Sequence, residues 1–505
     1  MSQIIIDRPL SWSELAAVAS HGAVLELSAA AKARIEAANA VVRSVVERDI
    51  RAYGVNTGVG ALSDVIVSRE HLSTLSRRIL MSHAVGIGPP LDVPSTRAIM
   101  TGAVNMFALG FSGLRLSVVQ RLVDLLNADC TPEVPRQGSV GYISHRAHIG
   151  LILIGHGTAL LKGERLHAAE AHARLRLAPL ALEAKEGLCL VNGTPCAVGL
   201  SCLALDRARR LMDWADAVSA MTFETQRCQI SAISTYAMAL HASPGLREVA
   251  ERLNGLLSGS GILADAVGRK TQDALSLRAI PHVHGAVRDV WSSAVGVVDR
   301  ELASVTDNPA VAGTPADPHV FSQANAVGAA IALAMDQMAI AIAELGMISE
   351  RRIDRMVNPL VNGLPPFLAQ DGGTASGFMI AQYAAVSLVG ENRRLAAPAS
   401  LDGGVTSGLQ EDILCHATPA ALKVLDAIGN VQKIVAIELL AACQSYDMMG
   451  PGSGVAPRTR ALYQALRAEI LTYADDRPLS EDIAAAIKFL HERTPDGILS
   501  LSKLI

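Results

Sequence analysis

Tyr53 opens the run Tyr53-Gly54-Val55-Asn56-Thr57-Gly58-Val59-Gly60, which holds too much glycine for a helix interior and sets a phenol beside a pliable polar turn. Such a loop reads as functional, although a tyrosine beside Gly and Asn is more often a packed anchor. His145 and His148, three apart on one helix face, have the spacing of two metal ligands, but no third ligand is evident and helix packing is the default. His282 and His284 follow Pro281, where capping or subunit contact explains them as well as catalysis does. Seven cysteines, an odd number with no CxxC pair, sit in apolar surroundings; Cys196 and Cys202 are of this kind. They read as reduced core thiols, without disulfides or zinc.

The elements that must position these groups are helices. Half the residues are apolar but only 3% aromatic, so the core is built from Ala, Leu, Val, Ile and Met, which pack closely as helices. Ser11-Trp12-Ser13-Glu14 has capping-box spacing, and Ser28 precedes a helical run to about Glu47. Ser117 is expected to cap a run to about Asn127, and apolar stripes recur at 201–222, 284–304, 326–349 and 420–446. Loops near 306–319, 358–376 and 397–408 join long helices, with no linker to an independent domain. The expected layout is an N-terminal loop-rich region over 1–110 and a helical bundle over 111–505.

A formal charge of −4 without a polybasic block gives no reason to expect nucleic acid or a membrane surface as partner, so a small molecule is the expected one. The most apolar stretches, such as Ala326 to Met335, are expected to be cut by Asp336 or by histidines before reaching membrane-spanning length. Residues 1–25 hold Asp7, Glu14 and His21 with no continuous apolar run, so no signal peptide is read and a cytoplasmic location is expected.

Read in order, YGVNTGVG at 53–60, SHAVGIG at 82–88, GSVG at 138–141, NGTP at 192–195, QDALSLR at 272–278, TDNP at 306–309, SERR at 349–352, SGFMIAQ at 376–382 and QED at 410–412 form a series. The series resembles the histidine/phenylalanine ammonia-lyase superfamily, histidine branch, over almost the whole chain. The resemblance implies a mainly α fold, a long helical bundle, and a homotetramer whose active sites are completed by loops of neighbouring subunits. It also implies roles: Tyr53 as a base, Arg278 as partner of the substrate carboxylate, and Asn192 and Gln272 orienting polar groups. His83 and Glu411 match positions that accommodate an imidazole. A guanidinium fork fits a carboxylate, and a carboxylate can accept from a ring N–H. Glu411 could instead cap a helix running through Ile413 and Leu414. Arg351 and Arg352 could be a solvated charge run, whereas the resemblance implies buried pairing. Leu275 and Ala326 stand where the family has aromatic pocket walls, so a larger, less polar pocket is expected, with Met379 also on its wall.

One departure matters most. In that family an Ala-Ser-Gly triad directly after GSVG cyclises and dehydrates into methylidene-imidazolone, an electrophile that activates the amine as a leaving group. Here Tyr142-Ile143-Ser144 fills the triad's place. Ile143 has no hydroxyl to lose, and the bulk of its neighbours opposes so tight a ring. A reading centred on Ser144 would use Ile143 and His145 and meets the same objection. Ala375-Ser376-Gly377 has the right letters, but family order puts it before a later helix.

No methylidene-imidazolone is therefore expected. Ammonia needs that electrophile to leave, but a trimethylammonium group is already quaternised and leaves once a base takes the β-proton. Relatives of the ergothionase kind, which release trimethylamine from a histidine betaine, are the precedent the resemblance supplies. The expected reaction is β-elimination from a histidine-like amino acid or its betaine to a urocanate-type acrylate, with Tyr142 or Tyr53 as the base. The resemblance implies that helix N-termini converge where Tyr142 stands, and their positive ends are expected to ease loss of its proton. The rivals are a conventional histidine ammonia-lyase and a non-catalytic relative that only binds ligand.

Overall fold

Ser11 and Ser28 start their helices as the sequence reading expects. Ser11 accepts from the Glu14 N–H while Glu14 reaches back to the Ser11 N–H, and Ser28 caps Ala29–Glu47. In the computed structural model, residues 2–401, 403–450 and 454–499 are described, and helices predominate throughout. The helix Leu116–Asn127 begins one residue before the expected cap. Arg115 is its N-cap, and Ser117 lies inside the first turn because Arg115 is the last extended residue.

The chain divides into two compact units. The first comprises the residues to Asp206, Ala294–Asp336 and Pro398–Leu422. Small antiparallel ribbons, Cys130–Pro132 with Thr158–Leu161 and Glu164–His167, and Ala310–Gly313 with Pro318–Phe321, edge its helices. The helix Val93–Ala108 is its axis and is buried on every face. Residues can be buried all round only where neighbours come close. At Gly199 a Cβ would lie 2.5 Å from the Ala98 carbonyl, so backbone meets backbone there. Gly187 does the same for the site: a Cβ would lie 2.1 Å from Ser76 O, which presses the helix ending at Val191 against Leu72–His83. Lys185 and Asp307, both fully buried, pair at 3.1 Å beside these elements.

The second unit comprises Arg207–Ser293, Gln337–Ala397 and the chain from Lys423. Its core contains carboxylates that are fully partnered. Glu438 accepts from Thr222, Ser349 and Arg352, and Asp216 is held by His284, Arg252 and Arg288. Arg352 thus has the buried pairing expected of it, while Arg351 is half exposed against Glu350. His284 is part of this buried network, which leaves it no catalytic freedom.

Six of the seven cysteines are buried in the core, and Cys415 is half-buried. The expectation about apolar length is corrected. Glu186–Thr225 and Asn325–Val357 are each long and apolar enough to cross a membrane by length and composition, because one acid such as Asp336 is outweighed by its neighbours. The apolar window of the first is wholly buried, as in a core helix, and that of the second is 56% buried.

Candidate functional site

The first unit encloses a cleft of about 1710 Å³ whose wall includes Tyr53, His83, Tyr142, Asn192, Ala326 and Glu411. Six of the residues singled out in the sequence are therefore brought together. Gln272, Leu275, Arg278 and Met379 belong to the second unit and are not on this wall. There, Arg278 Nε donates to the Asp273 carbonyl at 3.0 Å, Leu275 is exposed, and Met379 begins the helix Met379–Leu395.

Tyr53 is aimed by its loop. Gly54 takes φ +63° and sits where a Cβ would be 2.3 Å from Leu188, so only glycine allows the turn that follows the tyrosine. Asn56 accepts from the Ala52 N–H and donates to the Ile50 carbonyl, closing the loop on itself. The Gly60 N–H donates to the Tyr53 oxygen at 3.2 Å and fixes it at the cavity wall. Tyr53 thus lines the cleft, held there by its own loop.

Ile143 adopts φ +80° and ψ −80°, and the Ser144 N–H donates to the Tyr142 carbonyl at 3.2 Å. This is a γ-turn of the positive-φ kind, rare and strained, at a β-branched residue. Outside contacts hold it: the Ile143 N–H donates to Val191 O at 3.0 Å, Ser139 Oγ to Tyr142 O at 3.0 Å, and Thr418 Oγ1 to Gly141 O at 2.8 Å. The residues at this turn do not fit a methylidene-imidazolone. Ile143 carries no leaving group, and a seryl side chain, buried without a partner, stands at the position that the family gives to glycine. The Ala375-Ser376-Gly377 string lies in the second unit, where the N–H groups of Ser376 and Gly377 are held by Asp476.

Tyr142 donates its hydroxyl to Glu411 Oε2 at 3.3 Å. Burial, and then the negative charge of Glu411, push its pKa well up, so the expected ease of ionisation is reversed for this phenol. Glu411 also accepts from Thr406 Oγ1 at 3.0 Å. It lies in a loop paired through the Thr406–Glu411 bridge, and the following helix begins only at Ala417, so the capping alternative is not what the chain does. His83 ends the helix Leu72–His83; burial lowers its pKa, although the Ile79 carbonyl and Glu411 pull the other way. Asn192 already donates to the Asn308 carbonyl and accepts from the Gly193 N–H at 2.8 Å.

His145 and His148 do not converge on a metal. His145 Nε2 lies 3.0 Å from Arg136 O, His148 Nε2 accepts from the Gly86 N–H, and no group of three ligand side chains occurs among the described residues. The sequence reading missed Arg146, which is fully buried under the turn and donates to the carbonyls of Asn192 and Cys189. An arginine inside an apolar helix was the available signal. It also missed Thr406 and Gln323, whose amide ties Asp307 and whose N–H is held by Asn308. The TDNP motif pointed toward that contact.

Residues 10–468 match the family model described as aromatic amino acid lyase. The chain is 42% identical over 494 residues to the histidine ammonia-lyase of Symbiobacterium thermophilum, covering 97% of each. Among solved structures it is similar to histidine ammonia-lyase from Trypanosoma cruzi, with TM-score 0.91, 34% identity, and 99% and 95% of the two chains covered. It is also similar to an ergothioneine-degrading ergothionase from Treponema denticola, with TM-score 0.91, 25% identity, and 97% and 99% covered.

Proposed function

The chain is a carbon–nitrogen lyase of the aromatic amino acid lyase family, histidine ammonia-lyase branch, and from that premise we propose that it eliminates an amine without the family's electrophile. The substrate is a histidine-like amino acid or its trimethylated betaine, the product is a urocanate-type acrylate, and the leaving amine departs as the β-proton is removed. The observation that carries this reading is the strained turn at Ile143, set in the cavity wall where the family forms its electrophile and bearing a side chain that cannot dehydrate. Similarity to the ergothionase supports the betaine, while the higher identity to histidine ammonia-lyases supports the histidine-like ring.

Tyr53 is the base, since its oxygen is fixed at the wall by the Gly60 N–H, whereas Tyr142 is held as a donor. A cation such as trimethylammonium withdraws electrons through Cα and acidifies the β-hydrogen only modestly, so a positioned base is the main source of rate. Arg278 and Gln272 complete the site from a neighbouring subunit of a homotetramer, Arg278 receiving the substrate carboxylate as a bidentate pair. Exposed apolar side chains of the second unit, Ile340, Met347, Ile380, Tyr383 and Val386, offer surface for such an assembly. The protein works in the cytoplasm, as its all-thiol cysteines suit.

The test is a substrate panel of histidine, its methylated betaines and ergothioneine, read by the near-ultraviolet absorbance of an acrylate. The expected result is turnover of a betaine with release of a tertiary amine. Turnover of histidine alone favours the conventional reaction, and no turnover of any member favours a ligand-binding relative.

A further inference from the structure

Among the described residues, no cation pairs with the half-buried carboxylate of Glu411. Its two side-chain donors, the Tyr142 hydroxyl at 3.3 Å and Thr406 Oγ1 at 3.0 Å, are neutral. Burial lowers the pKa of His83, which lines the same cleft, and so works against a positive charge on that ring. Of the guanidinium groups on the wall, Arg51 is paired with Asp64 at 2.7 Å and Arg78 stands exposed. A partly buried carboxylate whose side-chain donors within the chain are both neutral can take a cation as a further partner.

The kind of cation follows from the other groups present. A primary ammonium brings three N–H donors and needs acceptors. Of the neutral acceptors on the wall, the Asn192 side chain is already engaged with Asn308 and Gly193. A quaternary ammonium has no N–H to satisfy; it is recognised by a counter-charge, an aromatic face and apolar surface for its methyls. Tyr142 supplies a neutral ring tethered to Glu411, and Val59, Val140, Ile143 and Val191 supply apolar wall.

We propose that Glu411 and the ring of Tyr142 form the seat of the substrate's quaternary ammonium group, with Tyr53 left free to reach the β-proton. This rests on the reading of the cavity as an amine-elimination site, and it moves Glu411 from the ring end of the substrate to the leaving-group end. The positive charge disappears as the C–N bond breaks, its electron pair going to the departing tertiary amine while the β-proton goes to the base. Glu411 therefore binds the ground state more strongly than the transition state, and its loss raises KM without lowering kcat.

The resting full-length protein is titrated calorimetrically with tetramethylammonium chloride, and in parallel with ammonium chloride and imidazole, at fixed ionic strength. The expected result is binding of tetramethylammonium that weakens about tenfold in Glu411→Gln and in Tyr142→Leu but only slightly in Tyr142→Phe, which keeps the ring. Unfolding temperatures confirm that each variant is folded. Tetramethylammonium binding unchanged in Glu411→Gln, equal loss in the Phe and Leu variants, or equal binding of ammonium or imidazole would overturn the seat. Binding of this pattern in a protein that turns over no betaine leaves the seat standing and removes the lyase reading. Betaine turnover with an unaltered KM in Glu411→Gln does the reverse.

Discussion

Tyr53 and Tyr142 are two phenols on one cavity wall, and their surroundings differ. The oxygen of Tyr53 accepts from a backbone N–H, whereas the hydroxyl of Tyr142 donates to a carboxylate that discourages its ionisation. Tyr53→Phe is expected to lower kcat by roughly 10²- to 10⁴-fold with KM little changed, the scale of a lost general base. Tyr142→Phe is expected to keep most of kcat; steady-state kinetics on the best betaine of the panel measures both. Equal losses at the two positions would return the base to Tyr142. Tyr53 and Glu411 were legible as residues of the cleft because the ordered series of motifs singled them out, which the loop composition alone did not. Thr406 and Arg146 were not legible as site residues, since their roles come from contacts across the fold that no local pattern encodes.

At the scale of elements, the turn from Gly138 to Ser144 and the helix Ser144–Leu153 behind it carry the unusual features. Ile143 is held at positive φ, which costs a β-branched residue about 1–3 kcal/mol. Ile143→Gly is accordingly expected to change stability by less than about 1 kcal/mol, relief of strain offsetting the lost side chain. Ile149→Ala, at a buried position of the same helix, is expected to cost about 2–5 kcal/mol. Chemical denaturation of both variants checks the contrast, and a large loss at Ile143 would show that the turn is not strained. His145 provides a pH test of the same helix. Burial pushes its imidazole down to about 4 from 6.5, so the folded form binds its proton less readily than the unfolded chain. The sign follows: full stability above pH 6.5, falling as pH drops toward 4, by at most roughly 3 kcal/mol from this group. His145→Gln should flatten that part of the curve of unfolding temperature against pH. The helices themselves were legible from caps and apolar spacing. The first turn of Leu116–Asn127 and the loop around Glu411 were not, because Ser117 and Glu411 are residues that can cap a helix but here have other surroundings.

At the scale of the whole molecule, the residues expected to bind substrate fall into two groups, those on the cleft wall of the first unit and those of the second unit, Arg278 and Gln272 among them. The order of motifs along the chain made the fold legible, but it gave no sign of which residues would share one wall. Shared sites between copies have a direct genetic test. Co-expressed Tyr53→Phe and Arg278→Gln chains are expected to form mixed assemblies that regain activity neither variant has alone, because some sites then draw both intact residues from different subunits. Activity that stays at the level of the separate variants would place Tyr53 and Arg278 in sites of one subunit. The central claim, elimination without a self-made electrophile, is tested most directly by the intact mass of the purified active protein. The mass of the unmodified 505-residue sequence is expected. A chain lighter by about two waters would show that a ring had closed and dehydrated within it, and would contradict the account.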